Sequence, residues 1–147
     1  MSRGLAVVLV AAAGVFVGLQ APVNSRLGRQ VGSLQAATFS FLVGTLALLL
    51  VTSFSSGGLG ALHSAGRAPW WALIGGLLGA FYVTVAVLTV RTLGVSGLTA
   101  IVVTGQLTIA VVVDRFGLLG LSRQHIGASR IAGVVLLLIG VVLVVRK

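Results

Sequence analysis

The sequence predicts an all-α polytopic membrane protein with five transmembrane helices. Of its 147 residues, 58% are hydrophobic and only 7% are charged, with a mean hydropathy of +1.20. Water-soluble domains usually carry about 25% charged residues, so this composition excludes a soluble protein. The uncharged run from Leu93 to Val113 would form a helix about 31 Å long, which matches the ~30 Å hydrocarbon core of a bilayer.

Five such runs divide the chain into predicted membrane spans within a single domain, residues 1–147. In chain order the spans cover residues 4–23, 33–54, 70–90, 93–113 and 127–145. Pro22 lacks a backbone N–H, so we expect the first helix to kink or end just after Gln20. A Gly- and Ser-rich connection precedes Pro69, whose fixed backbone suits the first turn of the third helix.

The net charge of +9 comes from ten Lys and Arg residues scattered singly between the apolar runs. This arrangement is typical of interfacial anchors on anionic membrane lipid and does not indicate nucleic-acid binding. The chain has no cysteine, and its two histidines lie in different loops, so we expect no metal site and no cofactor. Asp114, Ser122 and His125 share one loop without a nucleophile-elbow motif, so we predict that the protein is not an enzyme.

The basic residues divide equally between the two sides of the predicted membrane topology. The N-terminal side holds Arg3, Arg67, Arg115, Arg123 and Arg130, and the other side holds Arg26, Arg29, Arg91, Arg146 and Lys147. Because an excess of Lys and Arg normally sets orientation, a balanced count favours insertion both ways and an antiparallel homodimer. The alternative is that the balance is accidental, or that Arg3 and the amino terminus decide the orientation.

Amide and phenol groups inside the apolar runs, or directly after one, are the candidate solute-binding groups, namely Gln20, Asn24, Tyr82 and Gln106. Lipid offers such groups no hydrogen-bond partner, so we expect them to face protein or a cavity. On a helical wheel Gln106 lies within about 80° of Ser96 and Thr99, and we expect this polar stripe to face the bundle interior. Equally, the amides could serve only to hold helices together.

Asp114 is the only acidic residue in the chain. It could couple transport to protons or pair with a cationic solute, but its place at a helix end favours an interfacial ion pair. Arg130 could pair with Asp114, attract an anion or reach lipid phosphates. Glycines four apart, at Gly14 and Gly18 and at Gly75 and Gly79, predict faces for close helix packing.

Several segments together resemble one family of membrane proteins. They are GVFVGLQAPVNSRL from Gly14, SFLVG from Ser40, PWWALIGGLLGAF from Pro69, GQLTIAVVVDRFGLLGL from Gly105 and RIAGVVLLLIGVVLV from Arg130. In this order they resemble the YdcZ-type, five-span branch of the drug/metabolite transporter superfamily. The resemblance implies a bacterial inner-membrane transporter whose recurrent polar residues fall on Gln20, Asn24, Gln106, Asp114 and Arg130. Unlike the related small multidrug resistance proteins, this chain has no glutamate in its first span.

These observations lead to one preferred function and two alternatives. The preferred hypothesis is a multi-pass inner-membrane exporter that moves a small-molecule solute by alternating access in a dual-topology homodimer. A small-anion channel on the same dimeric architecture is the first alternative, because neutral donors and an excess of Arg also suit anions. The second alternative is a packing subunit of a larger membrane complex.

Overall fold

The structure, a computed structural model, describes residues 1–146, which are mostly helical, as predicted. Lys147, which entered the charge count, lies outside the described residues. Four α-helices form the architecture: α1 (Arg3–Val31), α2 (Ser33–Ser53), α3 (Gly75–Phe116) and α4 (Ala128–Val145). Short 3-10 helices occupy Gly58–Arg67, Trp70–Ile74 and Leu118–Gly120. The fold class predicted from composition, an all-α membrane protein, is confirmed.

All four helical regions are long and apolar enough to cross a membrane. The continuous helical region Trp70–Phe116 has 47 residues, or about 70 Å at 1.5 Å per residue, more than twice the hydrocarbon thickness. Its backbone is interrupted at Gly94, where φ is 72° and ψ is 165°. That conformation is accessible essentially only to glycine, so α3 consists of two helical segments joined at this residue.

The chain folds as two compact units, Met1–Thr89 and the part from Val90 onward. In the first unit, α1 and α2 form a hairpin around Gly32, whose φ of 96° ends one helix and starts the next. A small core of Ala37, Val83 and Val87 joins this hairpin to the first segment of α3. Close helix approach is visible at Gly28, where an added Cβ would lie 3.3 Å from Val87.

Helix α1 does not end after Gln20 but runs on to Val31, so of the two expectations for Pro22, a kink or an end, the end is wrong. Pro22 removes only one hydrogen bond of the helical ladder, a loss that membrane helices tolerate. In the turn that follows, Asn24 and Ser25 are buried. The predicted polar link after Val23 is therefore helical as far as Val31.

In the second unit, the last segment of α3 and helix α4 run antiparallel. Gly97 near the start of this segment lies against Val145 at the end of α4, with 3.7 Å between a Cβ at Gly97 and Val145 Cγ2. At the opposite end, Asp114 contacts Arg130. The two contacts fix the register of the hairpin.

Candidate functional site

The first unit contains a crevice between α1 and the first segment of α3. It is lined by Gln20, Ala21, Asn24, Tyr82, Val83 and Ala86. Residues four apart lie on the same face of a helix, so the pairs 20/24 and 82/86 turn toward one another across the crevice. Three of the four predicted solute-binding residues, Gln20, Asn24 and Tyr82, thus line this one crevice, which we call the amide crevice.

Asn24 is 6% exposed, and its Nδ2 donates a hydrogen bond to Ser40 Oγ at 3.2 Å. The bond joins α1 to α2 at positions equally distant from the turn at Gly32. Hydropathy alone does not pair these two residues. Both lie eight residues from Gly32, and the pairing could have been found had the single-residue turn been recognised.

Gln20 and Tyr82 are half-buried, and neither side chain makes a hydrogen bond to the part of the chain from residue 1 to 146. Their amide and hydroxyl groups therefore keep donors and acceptors free, and these unpartnered atoms are not fully buried. The crevice leaves no room for a water-sized molecule in this conformation. A solute that enters between the two helices requires α1 and α3 to move apart.

Gln106, the fourth predicted binding residue, belongs to the second unit, and it is exposed together with Ser96 and Thr99. The single chain thus leaves this polar stripe uncovered, and its orientation toward the interior of a bundle stays a prediction. The buried face of the helix instead carries Gly97 and Thr104, which lie about 20° apart on an ideal helix. Gln106 lies about 180° from Gly97, on the opposite side.

Asp114 and Arg130 lie together at the end of the second unit. Arg130 Nη1 donates to Asp114 Oδ2 at 3.0 Å, and the two side chains are 47% and 35% exposed, in that order. They border a cavity of about 290 Å³ whose other walls are Leu107, Ala110, Val111 and Gly133. An ion pair of this exposure contributes little to stability, about 0–1 kcal/mol.

The four glycines chosen for helix packing differ in their surroundings. An added Cβ at Gly79 would lie 3.2 Å from Phe41 Cζ, so α2 and α3 approach closely there. Gly14, Gly18 and Gly75 have no described atom within 4 Å of such a Cβ. Within the described residues, these three positions leave helix surface open to another partner.

Comparison with known proteins identifies the family. Residues 5–143 match the family model described as "Putative inner membrane exporter, YdcZ". The chain is also 30% identical to the inner membrane protein YdcZ of Escherichia coli (strain K12) over 150 residues, covering 100% of this chain and 99% of that protein. No solved structure matches the chain.

The match extends through all four helices and includes both hairpins. It agrees with the apolar composition and the membrane-spanning lengths of the helices. It places the protein in the inner membrane as a multi-pass protein and supports a transporter role. The chain belongs to the YdcZ family of inner-membrane exporters within the drug/metabolite transporter superfamily.

Proposed function

We propose that the protein exports a small polar solute by alternating access and that the amide crevice is its binding site. The observation that carries the proposal is that the Gln20 amide and the Tyr82 hydroxyl have no hydrogen-bond partner within residues 1–146. Polar groups inside a membrane protein are costly unless they are partnered, and in transporters they mark substrate pathways. A bound solute would supply the partners that the chain itself does not.

The chemistry of the crevice favours recognition through hydrogen bonds. Its polar side chains are two amides and a phenol, each able to donate and to accept. The only acidic residue of the chain, Asp114, lies in the other unit and is paired with Arg130. A mechanism in which protons and organic cations compete for one carboxylate therefore has no support in the crevice.

The closed crevice suits one stage of an alternating-access cycle. A solute of even a few atoms requires separation of α1 from α3, and a typical small-molecule site occupies about 300–1,000 Å³. Transport would then alternate between this closed packing and conformations open to either side. A permanently open channel would instead need a water-filled path past the same residues.

Flux measurements in liposomes test this proposal. The purified protein is challenged with a panel of polar neutral metabolites, organic cations and small anions, beside Gln20→Leu and Tyr82→Phe. We expect saturable flux of one solute class, with KM raised about two- to tenfold by Tyr82→Phe, the value of one neutral hydrogen bond. Gln30→Leu is the matched control, because Gln30 is exposed on the same helix beyond the apolar run.

The outcomes separate the three hypotheses. Saturable flux that falls in Gln20→Leu but not in Gln30→Leu supports the exporter. Large currents that rise with an ion gradient without saturation favour the channel. Absence of flux across the panel, with loss of a larger assembly in Gln20→Leu, favours the packing subunit and refutes the proposal.

We propose in addition that two copies work as an antiparallel homodimer. Gln106 is exposed near the middle of an uncharged run, where lipid cannot hydrogen-bond its amide. The balanced distribution of Lys and Arg permits a second copy inserted the other way round. The open surface at Gly14 and Gly18 gives such a copy room for close approach.

Disulfide cross-linking distinguishes antiparallel from parallel association, because the natural chain contains no cysteine. Ser96, Val103 and Ala110 are seven apart, share the helix side near Gln106 and are centred on Val103, the midpoint of the run from Leu93 to Val113. In an antiparallel pair, Val103→Cys cross-links to itself, and Ser96→Cys cross-links to Ala110→Cys. In a parallel pair, each variant cross-links only to its own kind, which would refute the antiparallel arrangement.

A further inference from the structure

A second cavity of about 370 Å³ opens at the C-terminal end of α3, in the second unit. Its lining residues are Arg115, Phe116, Arg123, Gln124 and His125. Nothing in the proposed transport cycle uses these side chains. We call this place the arginine cavity.

The loop that forms the arginine cavity is held against the end of α3. The backbone N–H of Gln124 donates to the Asp114 carbonyl at 2.8 Å, and Arg123 Nε donates to the Phe116 carbonyl at 3.3 Å. Gly117 makes the reversal possible with a φ of +62°. A Cβ there would lie 2.7 Å from Arg123 Cγ, so the turn requires glycine.

The arginine cavity carries uncompensated positive charge. Asp114 provides the only side-chain carboxylate of the chain, and Arg130 already binds it at 3.0 Å. Within residues 1–146, neither Arg115 nor Arg123 has a carboxylate partner. Two guanidinium groups, an imidazole and an amide therefore line a space to which residues 1–146 contribute no counter-ion.

The loop that carries Arg123 also exposes apolar side chains, and we expect it to lie at the level of the lipid headgroups. The uncharged run ends at Val113, so Arg115 and the loop after it lie just beyond the hydrocarbon layer. The loop exposes three leucines, Leu118 at 45%, Leu119 at 65% and Leu121 at 57%. Exposed apolar groups next to arginines fit a lipid, whereas a free inorganic anion would gain nothing from the leucines.

We propose that the arginine cavity binds the phosphate-bearing headgroup of an anionic phospholipid. Arg115 and Arg123 contact the phosphate, because guanidinium groups pair with its oxygens in a planar, bidentate manner. Gln124 and His125 supply further donors for the headgroup oxygens. The leucines of the loop contact the first part of the acyl chains.

Lipid titration followed by native mass spectrometry tests this site. The full chain in detergent is titrated with dioleoylphosphatidylglycerol and, separately, with dioleoylphosphatidylcholine. We expect tighter binding of phosphatidylglycerol, weakened about fivefold by Arg115→Gln and about thirtyfold by Arg115→Gln combined with Arg123→Gln. The matched control replaces both Arg26 and Arg29 with Gln, since these two exposed arginines lie outside the cavity.

Two further binding measurements, one on a Leu119 variant and one with inorganic phosphate as competitor, decide whether the cavity binds a lipid or a free anion. Leu119→Asn removes one exposed apolar side chain. Asparagine tolerates the positive φ of 58° at this position, so the backbone should be preserved. It should weaken phosphatidylglycerol binding, and inorganic phosphate should not displace the lipid. Displacement by phosphate would overturn the lipid assignment, and equal losses in the Arg26 and Arg29 control would overturn the site itself.

Arg123 also holds the loop, so its replacement could disturb the fold. Arg115→Gln avoids this problem, because no hydrogen bond from Arg115 to the loop is present among the described residues. A circular dichroism melt identical to that of the natural protein, together with weaker phosphatidylglycerol binding, supports the proposal. Unchanged binding in a correctly folded Arg115→Gln protein refutes it.

Discussion

The hydrogen bond from Asn24 to Ser40 allows the structural and the transport roles of the amide crevice to be separated. Ser40→Ala leaves Asn24 Nδ2 without its 3.2 Å acceptor in a residue only 6% exposed. Interhelical hydrogen bonds in membrane proteins average about 0.6 kcal/mol and reach about 1.7 kcal/mol. Because the site is nearly closed, we expect Ser40→Ala to lower the free energy of unfolding by about 1 kcal/mol.

The same substitution should have almost no effect in the Asn24→Leu background, where no buried amide needs a partner. The difference between the two effects is the coupling energy of the pair. Reversible unfolding in mixed micelles containing sodium dodecyl sulfate gives all four free energies, with Trp70 and Trp71 as fluorescent reporters. A coupling energy of zero would show that the bond does not stabilise the α1–α2 hairpin.

Flux through the same four proteins then tests the function of Asn24. If Asn24 binds solute, Ser40→Ala keeps most of the flux although it lowers stability, whereas Asn24→Leu abolishes flux at equal protein content. If Asn24 only holds helices together, flux follows stability in both variants. Parallel losses of flux and stability would refute the assignment of Asn24 to solute binding.

Two further predictions concern the second unit and the break in α3. Asp114→Asn should lower the free energy of unfolding by less than about 1 kcal/mol, because its partner Arg130 is 47% exposed and the pair is screened by solvent. Unfolding in mixed micelles measures this change. A larger loss of stability would contradict the exposed geometry of the ion pair. Gly94→Ala should cost about 1–3 kcal/mol, because φ of 72° with ψ of 165° is strained for any residue with a Cβ. Gly105→Ala is the control in the same micelle assay, because Gly105 is helical and an added Cβ there would meet open space. Equal losses of stability at the two glycines would contradict the backbone conformation assigned to Gly94.

The helical class and the position of the α3 break follow from patterns that membranes impose on sequence. Long uncharged runs must be helical because lipid satisfies no backbone group, and Arg91 marks a gap between two of them. The path of α1 through Pro22 could not be predicted in the same way. A proline removes one local bond, and the tertiary contacts that bury Asn24 and Ser25 just after it are not visible in the sequence.

Hydropathy points to the residues of the amide crevice but not to the face that Gln106 takes. Gln20 and Tyr82 are polar within apolar runs, and Asn24 directly follows one. The face of Gln106 could not be derived from hydropathy, because lipid and protein interior are equally apolar and give the helix no single apolar side. Steric fit decided instead, since Gly97 allows the close contact with Val145.

The single-residue turn at Gly32 constrains how this protein enters a membrane during synthesis. With no loop between α1 and α2, the translocon cannot release α1 into lipid long before α2 follows. We therefore expect α1 and α2 to insert together as a helical hairpin, with Arg26 and Arg29 close to its turn. Whichever side of the membrane receives this turn, α1 and α2 take their opposite directions together, and the orientation cannot be changed by moving one helix alone.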